Sequence, residues 1–375
     1  MFMDTSSELI HSLLPVFMGT VLGASVAAIG VLEGVAEATA AIMKVFSGAL
    51  SDRLGKRKAL AVFGYGLAAF SKPIFPLAGS LGWVFAGRFV DRIGKGIRGA
   101  PRDALVADIT PPDLRGSAYG LRQSLDSAGA VLGPLLAVVF MVWLVNDIRS
   151  VLWIAVIPAF VAVALLVFGV REPGHIGTKD GARVPVSFAD MKQLSLRYWY
   201  IVLLGAVFML ARFSEAFMIL RAQDVGLPMG YVPVVFIVMN VVYAATAYPA
   251  GVLSDRISAR ILLAGGLAVL VAADVFLAFA ASPTALLLGA GCWGIHLGLT
   301  QGLFARLVAN STPAALRGTA FGIFNLVSGC GLLVASLLAG VLWTEYGAPA
   351  TFLAGAGFAA LAAIGLLPYH HRKEQ

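Results

Sequence analysis

Gly48-Ala-Leu-Ser-Asp52-Arg53 returns as Gly251-Val-Leu-Ser-Asp255-Arg256, 203 positions further along the chain. Thr110-Pro-Pro-Asp-Leu-Arg115-Gly116-Ser-Ala-Tyr-Gly120 returns as Thr312-Pro-Ala-Ala-Leu-Arg317-Gly318-Thr-Ala-Phe-Gly322, 202 positions further. Two motifs carried forward by offsets that agree within one residue identify a duplicated half. The surroundings of these motifs are apolar: 59% of the 375 residues are hydrophobic and 13% are charged. A soluble domain carries about 25% charge, so the chain has half of what water would require. Its mean hydropathy of +0.88 also excludes disorder. Cys292 and Cys330 each lie in an apolar run, so neither a disulfide framework nor a cysteine metal site is available. A bilayer-embedded protein remains.

Crossing a bilayer takes about 20 apolar residues in a helix. Twelve stretches meet that length: about 1–22, 26–50, 59–79, 83–106, 116–145, 150–170, 198–221, 230–253, 261–281, 284–309, 318–343 and 348–368. They are continuous rather than alternating, which argues against an outer-membrane barrel. The 42 glycines suit close helix–helix contact in lipid. The expected fold is therefore an all-α integral membrane protein, with twelve transmembrane helices in two pseudo-symmetric six-helix bundles. Its expected organisation is a bundle at 1–170, a cytoplasmic linker at 171–197, and a second bundle at 198–375 with a short cytoplasmic tail. Parallel repeats enclosing a midplane site are a transporter architecture.

Charge placement sets the orientation. The loops at 51–58, 107–115, 171–197, 254–260 and 310–317 and the tail at 369–375 hold fifteen basic residues, whereas the intervening connections hold only Arg149. The positive-inside rule puts both termini in the cytoplasm. The net charge of +7 is thus a topology signal rather than a sign of nucleic-acid binding. Asp4 and Glu8 stand where a signal peptide would be basic, so no cleavable leader is expected. Ser214-Glu215 on span 7 echoes Ser7-Glu8 on span 1, but with about sixteen residues of span before it against six. That difference suggests a chain beginning partway through its first span.

Gly48-Ala-Leu-Ser-Asp52-Arg53-Leu-Gly55-Lys56-Arg57-Lys58 resembles motif A of the major facilitator superfamily. Arg88, with Gly94 and Gly96 after it on span 4, resembles motif B loosely, because Arg92 stands where a glycine is usual. Gly129-Ala-Val-Leu-Gly133-Pro134 on span 5 resembles motif C, which in that family marks proton-coupled antiporters. The second half has Gly331, Ala335 and Ser336 instead, and lacks it. The resemblance covers the whole chain and implies that spans 1 and 4 line the cavity. It also implies that Asp52, Arg53, Gly55, Arg57 and Arg115 form a gating network at the cytoplasmic mouth, stable in one access state only. Asp255 and Arg256 would be the weaker echo. Apart from the family, Gly129 and Gly133 permit close approach, and Pro134 removes a backbone hydrogen bond and bends span 5.

Twenty ionisable residues fall inside the spans, fifteen of them before residue 171. Each such group in lipid costs about 2.5 kcal/mol or more unless it faces water or a partner. Asp4, Glu8 and His11 share one face of span 1, and Glu33 and Glu37 are one turn apart on span 2. Arg88, Asp91, Arg92, Lys95 and Arg102 run along span 4, and Arg122 and Asp126 are one turn apart on span 5. Neighbouring carboxylates in low dielectric repel, which favours a shared proton. Asp4, Glu8, Glu33, Glu37 and Asp126 are therefore the proton-coupling candidates. Arg88, Asp91, Arg92, Lys95, Arg122 and Glu215 are the cavity and substrate candidates. The plainer alternative is that charges at these spacings neutralise one another as structural ion pairs. His296, Phe213, Phe217, Phe236, Phe304, Phe321 and Phe324 read more readily as packing.

No Gly-x-x-x-x-Gly-Lys-Ser/Thr phosphate loop is present, nor a zinc-type His/Glu cluster, so an ATPase and a metalloenzyme are disfavoured. A channel would need a pore-lining ring of subunits. The expected function is secondary transport in the cytoplasmic (inner) membrane, by proton-coupled antiport, with import of a small anionic metabolite as the runner-up. The expected partners are a small-molecule substrate, protons and the lipid bilayer. A monomer suffices, with no metal, cofactor or nucleic acid called for.

Overall fold

The computed structural model describes residues 1–54, 57–111, 114–170, 194–300, 303–312 and 316–366, and among these there is no strand. Twelve helical spans follow in order. The first six are α1 (Phe2–Val16, continued by a π-helical turn Phe17–Val21), α2 (Val26–Leu54), α3 (Arg57–Ser71, followed by the short Ile74–Leu77), α4 (Leu81–Ile109), α5 (Arg115–Trp143) and α6 (Ile148–Ile154 and Val156–Gly169). The last six are α7 (Leu196–Leu210 and Ala216–Asp224), α8 (Val234–Arg256), α9 (Ala259–Ala278), α10 (Pro283–Thr300 and Leu303–Asn310), α11 (Arg317–Tyr346) and α12 (Ala348–Gly365).

Eight of these helices, all but α1, α4, α7 and α10, contain an 18-residue stretch apolar enough to cross a bilayer on composition alone. Three of the four exceptions have visible causes. Asp4 and Glu8 interrupt α1, seven charged residues from Arg88 to Asp103 interrupt α4, and α7 breaks at residues 211–215. These three helices carry charge or irregular backbone inside the membrane, which a protein tolerates only where neighbours or water satisfy the groups. Pro15 lies inside α1 just ahead of the π-helical turn, a common place for a helix to lose its regular ladder.

Two compact units result: Met1–Ala24 with Val35–Pro185 and Pro228–Val234, and Ser25–Gly34 with Val186–Leu227 and Val235–Gln375. Lipid offers no hydrophobic drive between helices, so close approach rests on small residues. In the first unit a Cβ on Gly64 would sit 2.8 Å from the Gly94 carbonyl, and one on Gly94 would sit 2.6 Å from the Gly64 carbonyl. α3 and α4 therefore meet backbone to backbone. In the second unit a Cβ on Gly30 would lie 2.6 Å from the Ser336 carbonyl, and one on Gly298 would lie 2.7 Å from Thr246. Aromatic edge contacts fill the wider gaps there: Phe213 meets Phe217, Trp293 and Phe352 with ring centroids 5.5–5.6 Å apart.

Candidate functional site

The glycine contacts of the first unit decide which charges meet. From the Gly64–Gly94 crossing, Lys72 is two turns along α3 and Asp91 is one turn back along α4. Their side chains pair, with Lys72 Nζ 2.8 Å from Asp91 Oδ1. Both are buried, and Lys72 also donates to Ser7 Oγ on α1 at 3.0 Å. A second contact sets α2 on α4: a Cβ on Gly96 would lie 3.0 Å from the Ala40 carbonyl. One turn away on each helix, Arg92 Nη1 reaches Glu37 Oε1 at 3.2 Å, while Arg92 Nε is 3.8 Å from Asp91 Oδ2. Ser7, Lys72, Asp91, Arg92 and Glu37 thus form one continuous polar chain across α1, α3, α4 and α2.

The motif C glycines add α1 to this cluster. A Cβ on Gly133 would lie 2.7 Å from the Thr5 carbonyl and 2.9 Å from Glu8 Cβ; one on Gly129 would lie 2.9 Å from Asp4 Cβ. α5 therefore packs on the backbone that carries both acidic residues of α1. Pro134, inside α5, follows directly. Glu8 Oε2 is 3.6 Å from His11 Nδ1. The Glu8 and Glu37 side chains keep 25% and 28% of their exposure.

Lys95 differs from the other cations of α4. It is exposed, and no ion-pair partner within 4 Å or hydrogen bond is found for it among the described residues, although Glu8 and Glu37 lie within electrostatic range. Arg88 is buried on the same helix within range of Glu37 and Asp91. Two partly exposed carboxylates beside an exposed ammonium can take up and release protons, and can present a cation to an anionic group.

The remaining candidates lie elsewhere. Asp126 and Arg122 join Arg102 and Asp103 in a ring: Arg102 is 3.5 Å from Asp126 and 3.2 Å from Asp103, and Arg122 is 3.7 Å from Asp126 and 2.5 Å from Asp103. Asp4 is 3.1 Å from the amino group of Met1. Glu33, one turn from Glu37, is buried in the second unit. Glu215 stands at the α7 break, within range of Arg212. Arg57 donates to the Ala104 carbonyl at 3.0 Å, tying α3 to α4. Asp52, Arg53, Arg115, Asp255 and Arg256 are on helices, but their side chains lie outside the described residues, and Gly55 lies outside them altogether. His296 Nδ1 sits 2.7 Å from the Gly266 carbonyl, a contact between α10 and α9.

Lys72, central to the cluster, was not among the candidates read from spacing; its signal was a lone lysine deep in an apolar span. The repeat sharpens its meaning. The offset of 202 that carries Arg115 onto Arg317 carries Lys72 onto Asp274 and Asp91 onto Trp293. Asp274 and Trp293 are buried, and neither Asp274 oxygen nor Trp293 Nε1 has a hydrogen-bond partner among the described residues. The ion pair belongs to the first half only.

A family model described as Major Facilitator Superfamily matches residues 1–240 and 216–375. The chain is 33% identical over 372 residues to an MFS-type transporter of Methanocaldococcus jannaschii, MJ1317, an alignment covering 97% of this chain and 91% of that one. It is 25% identical over 357 residues to the inner membrane transport protein YajR of Escherichia coli, covering 90% and 74%. Among solved structures, a D-xylose-proton symporter superposes with a TM-score of 0.77 at 17% identity, covering 99% of this chain and 95% of that one. At that identity the likeness concerns the fold.

Proposed function

This chain belongs to the major facilitator superfamily, and we propose that it exchanges a small molecule for protons across the cytoplasmic membrane, with Glu8 and Glu37 as the proton carriers. The observation that carries this reading is the pair of partly exposed carboxylates on α1 and α2, both within electrostatic range of Lys95, in the same unit as the buried Lys72–Asp91 pair. A carrier must keep part of its carboxyl exposed and must sense a neighbouring charge, and both carboxylates satisfy the two conditions. Asp91 satisfies only the second. The contact of Gly129 and Gly133 with the α1 backbone supports coupled movement, because a shift of α5 near Pro134 would carry with it the helix that bears Glu8. In this reading the basic loops and both termini face the cytoplasm, and the monomer is the working unit.

Exposed Lys95 favours a second reading, symport of a small anion with protons. One experiment separates the two. Purified protein is reconstituted in liposomes with a lumenal pH dye and exposed to a panel of organic cations, organic anions and nucleosides. Entry by antiport drives protons out and raises lumenal pH, whereas symport lowers it. Glu8→Gln and Glu37→Gln are expected to abolish the pH change while a transported compound still stabilises the protein. Undiminished proton movement in both variants excludes these carriers.

A further inference from the structure

In the second unit, one turn before the end of α9, Asp274 is 0% exposed, and neither of its carboxyl oxygens has a hydrogen-bond partner among the described residues. A Cβ on Gly355 of α12 would lie 2.7 Å from Asp274 Oδ2 and 2.8 Å from Phe213 Cε1. The carboxyl therefore borders the α12 backbone and the ring that stands in the α7 break, and a side chain at position 355 would displace it. The Phe213 ring in turn meets Phe217, Trp293 and Phe352, so the carboxyl looks onto an aromatic cluster.

No opposite charge acts on Asp274 among the described residues. The helices packed along α9 are α10 and α12. α12 has no ionisable residue, and α10 has Cys292, His296 and Arg306. His296 is held on the Gly266 carbonyl, about two turns from Asp274, and Arg306 borders Ser258 at the opposite end of α9. Cys292 is a half-buried thiol. On the second half of α7, Arg221 donates to the carbonyls of Leu277, Ala278 and Ala280 and to Asp224. At the break, Arg212 lies over the Phe208 ring with Glu215 in electrostatic range.

The duplicated half supplies the contrast. At the equivalent place in the first unit, Lys72 and Asp91 neutralise each other at 2.8 Å. In the second unit the carboxyl takes the place of the lysine, and Trp293, which has no charge, takes the place of the aspartate. An ionised carboxylate there is a buried charge with nothing to offset it, and such a group neutralises itself by holding a proton.

We propose that Asp274 is a proton site of the second unit: its carboxyl holds a proton while Gly355 and Phe213 cover it, and gives that proton to water when the change of access uncovers it. One proton then moves with each cycle in addition to those carried by Glu8 and Glu37, so the proposal rests on the proton-exchange reading above. Phe213 lies between the two helical pieces of α7, outside regular helix, so the cover over the carboxyl is the part of the span without a complete backbone ladder.

The test is infrared spectroscopy of the purified full chain at about pH 8, where a solvated carboxyl carries no proton, followed by the liposome assay. Wild-type protein is expected to show the carbonyl stretch of a protonated carboxyl, Asp274→Asn to lose it, and Glu8→Gln and Glu37→Gln to keep it. In liposomes Asp274→Asn is expected to move one proton fewer per substrate molecule than wild type. A wild-type spectrum without that band overturns the proposal, however the variants fold. So does a band that survives in Asp274→Asn, or an unchanged proton count per substrate, and these outcomes leave the Glu8 and Glu37 reading standing. Wild-type protein that moves no protons overturns the exchange reading and this one together.

Discussion

Removing one partner of the Lys72–Asp91 pair is expected to be far more harmful than removing both, and the two single removals are not equivalent. Lys72 is 1% exposed and Asp91 2%. Breaking a buried pair of this kind costs about 3–5 kcal/mol, because the survivor is left as a buried charge without compensation. Asp91→Asn leaves the Lys72 ammonium with the Ser7 hydroxyl 3.0 Å away as its other bonded partner, so the loss belongs at the upper end, about 4–5 kcal/mol. Lys72→Met leaves Asp91 with Arg92 Nε at 3.8 Å, so about 2–3 kcal/mol is expected. Lys72→Met combined with Asp91→Leu removes both charges while keeping apolar volume, and should lie within about 1 kcal/mol of wild type. Arg92 retains Glu37 at 3.2 Å in all three variants. The assay is equilibrium unfolding in mixed micelles, read as a double-mutant cycle. Additive single losses, or a Lys72→Met loss exceeding that of Asp91→Asn, would refute the account of Arg92 as the reserve partner.

Three further outcomes follow from the packing. Gly133→Ala places a Cβ 2.7 Å from the Thr5 carbonyl and the Leu9 amide, so unfolding measurements should show a loss of about 1–3 kcal/mol; Gly99→Ala, with no atom within 4 Å, should be neutral or slightly stabilising. Asp274→Asn, at the repeat position of Lys72, removes a carboxyl that makes no hydrogen bond among the described residues and should cost less than about 1 kcal/mol, against the large loss expected for Asp91→Asn. Asp147 caps the start of α6, and its hydrogen bonds from the Ser150 hydroxyl and the Ser150 and Arg149 amides hold its carboxyl below the ordinary range. A depressed value means that the cap's contribution is present above the ordinary carboxylate range and is lost as pH falls through the lowered one. Asp147→Ala should therefore cost about 1 kcal/mol at about pH 7 and progressively less as pH falls below the ordinary carboxylate range, a trend that thermal unfolding across a pH series would register.

Spacing along single helices could place Glu33 and Glu37 one turn apart, and Arg122 and Asp126 likewise, because the helical period is set by the backbone. It could not say that Glu37 meets Arg92 while Glu33 is buried in the other unit. Nor could it say that Asp126 closes a ring with Arg102, Asp103 and Arg122. Those outcomes depend on how each helix is rotated about its axis, and the rotation is set by where two backbones can touch. Gly64, Gly94, Gly96, Gly129 and Gly133 are contacts that set it in the first unit. In a chain with 42 glycines, their positions alone do not say which backbone each one meets.

What the sequence by itself determined is the architecture: the offsets of 202 and 203 give the duplication, the apolar stretches give twelve spans, and fifteen basic residues against one give the expected orientation. These are properties of composition and period, which hold whatever the tertiary contacts are. The charge arithmetic also placed fifteen of the twenty ionisable residues of the spans in the first half. Only the tertiary structure decided which of those charges are spent on one another. Lys72 and Asp91 are locked together in the interior, whereas Lys95, four residues along α4 from Asp91, is exposed with no ion pair among the described residues. In a low-dielectric interior a charge is defined by its nearest opposite charge, and across helices that distance is a property of the fold.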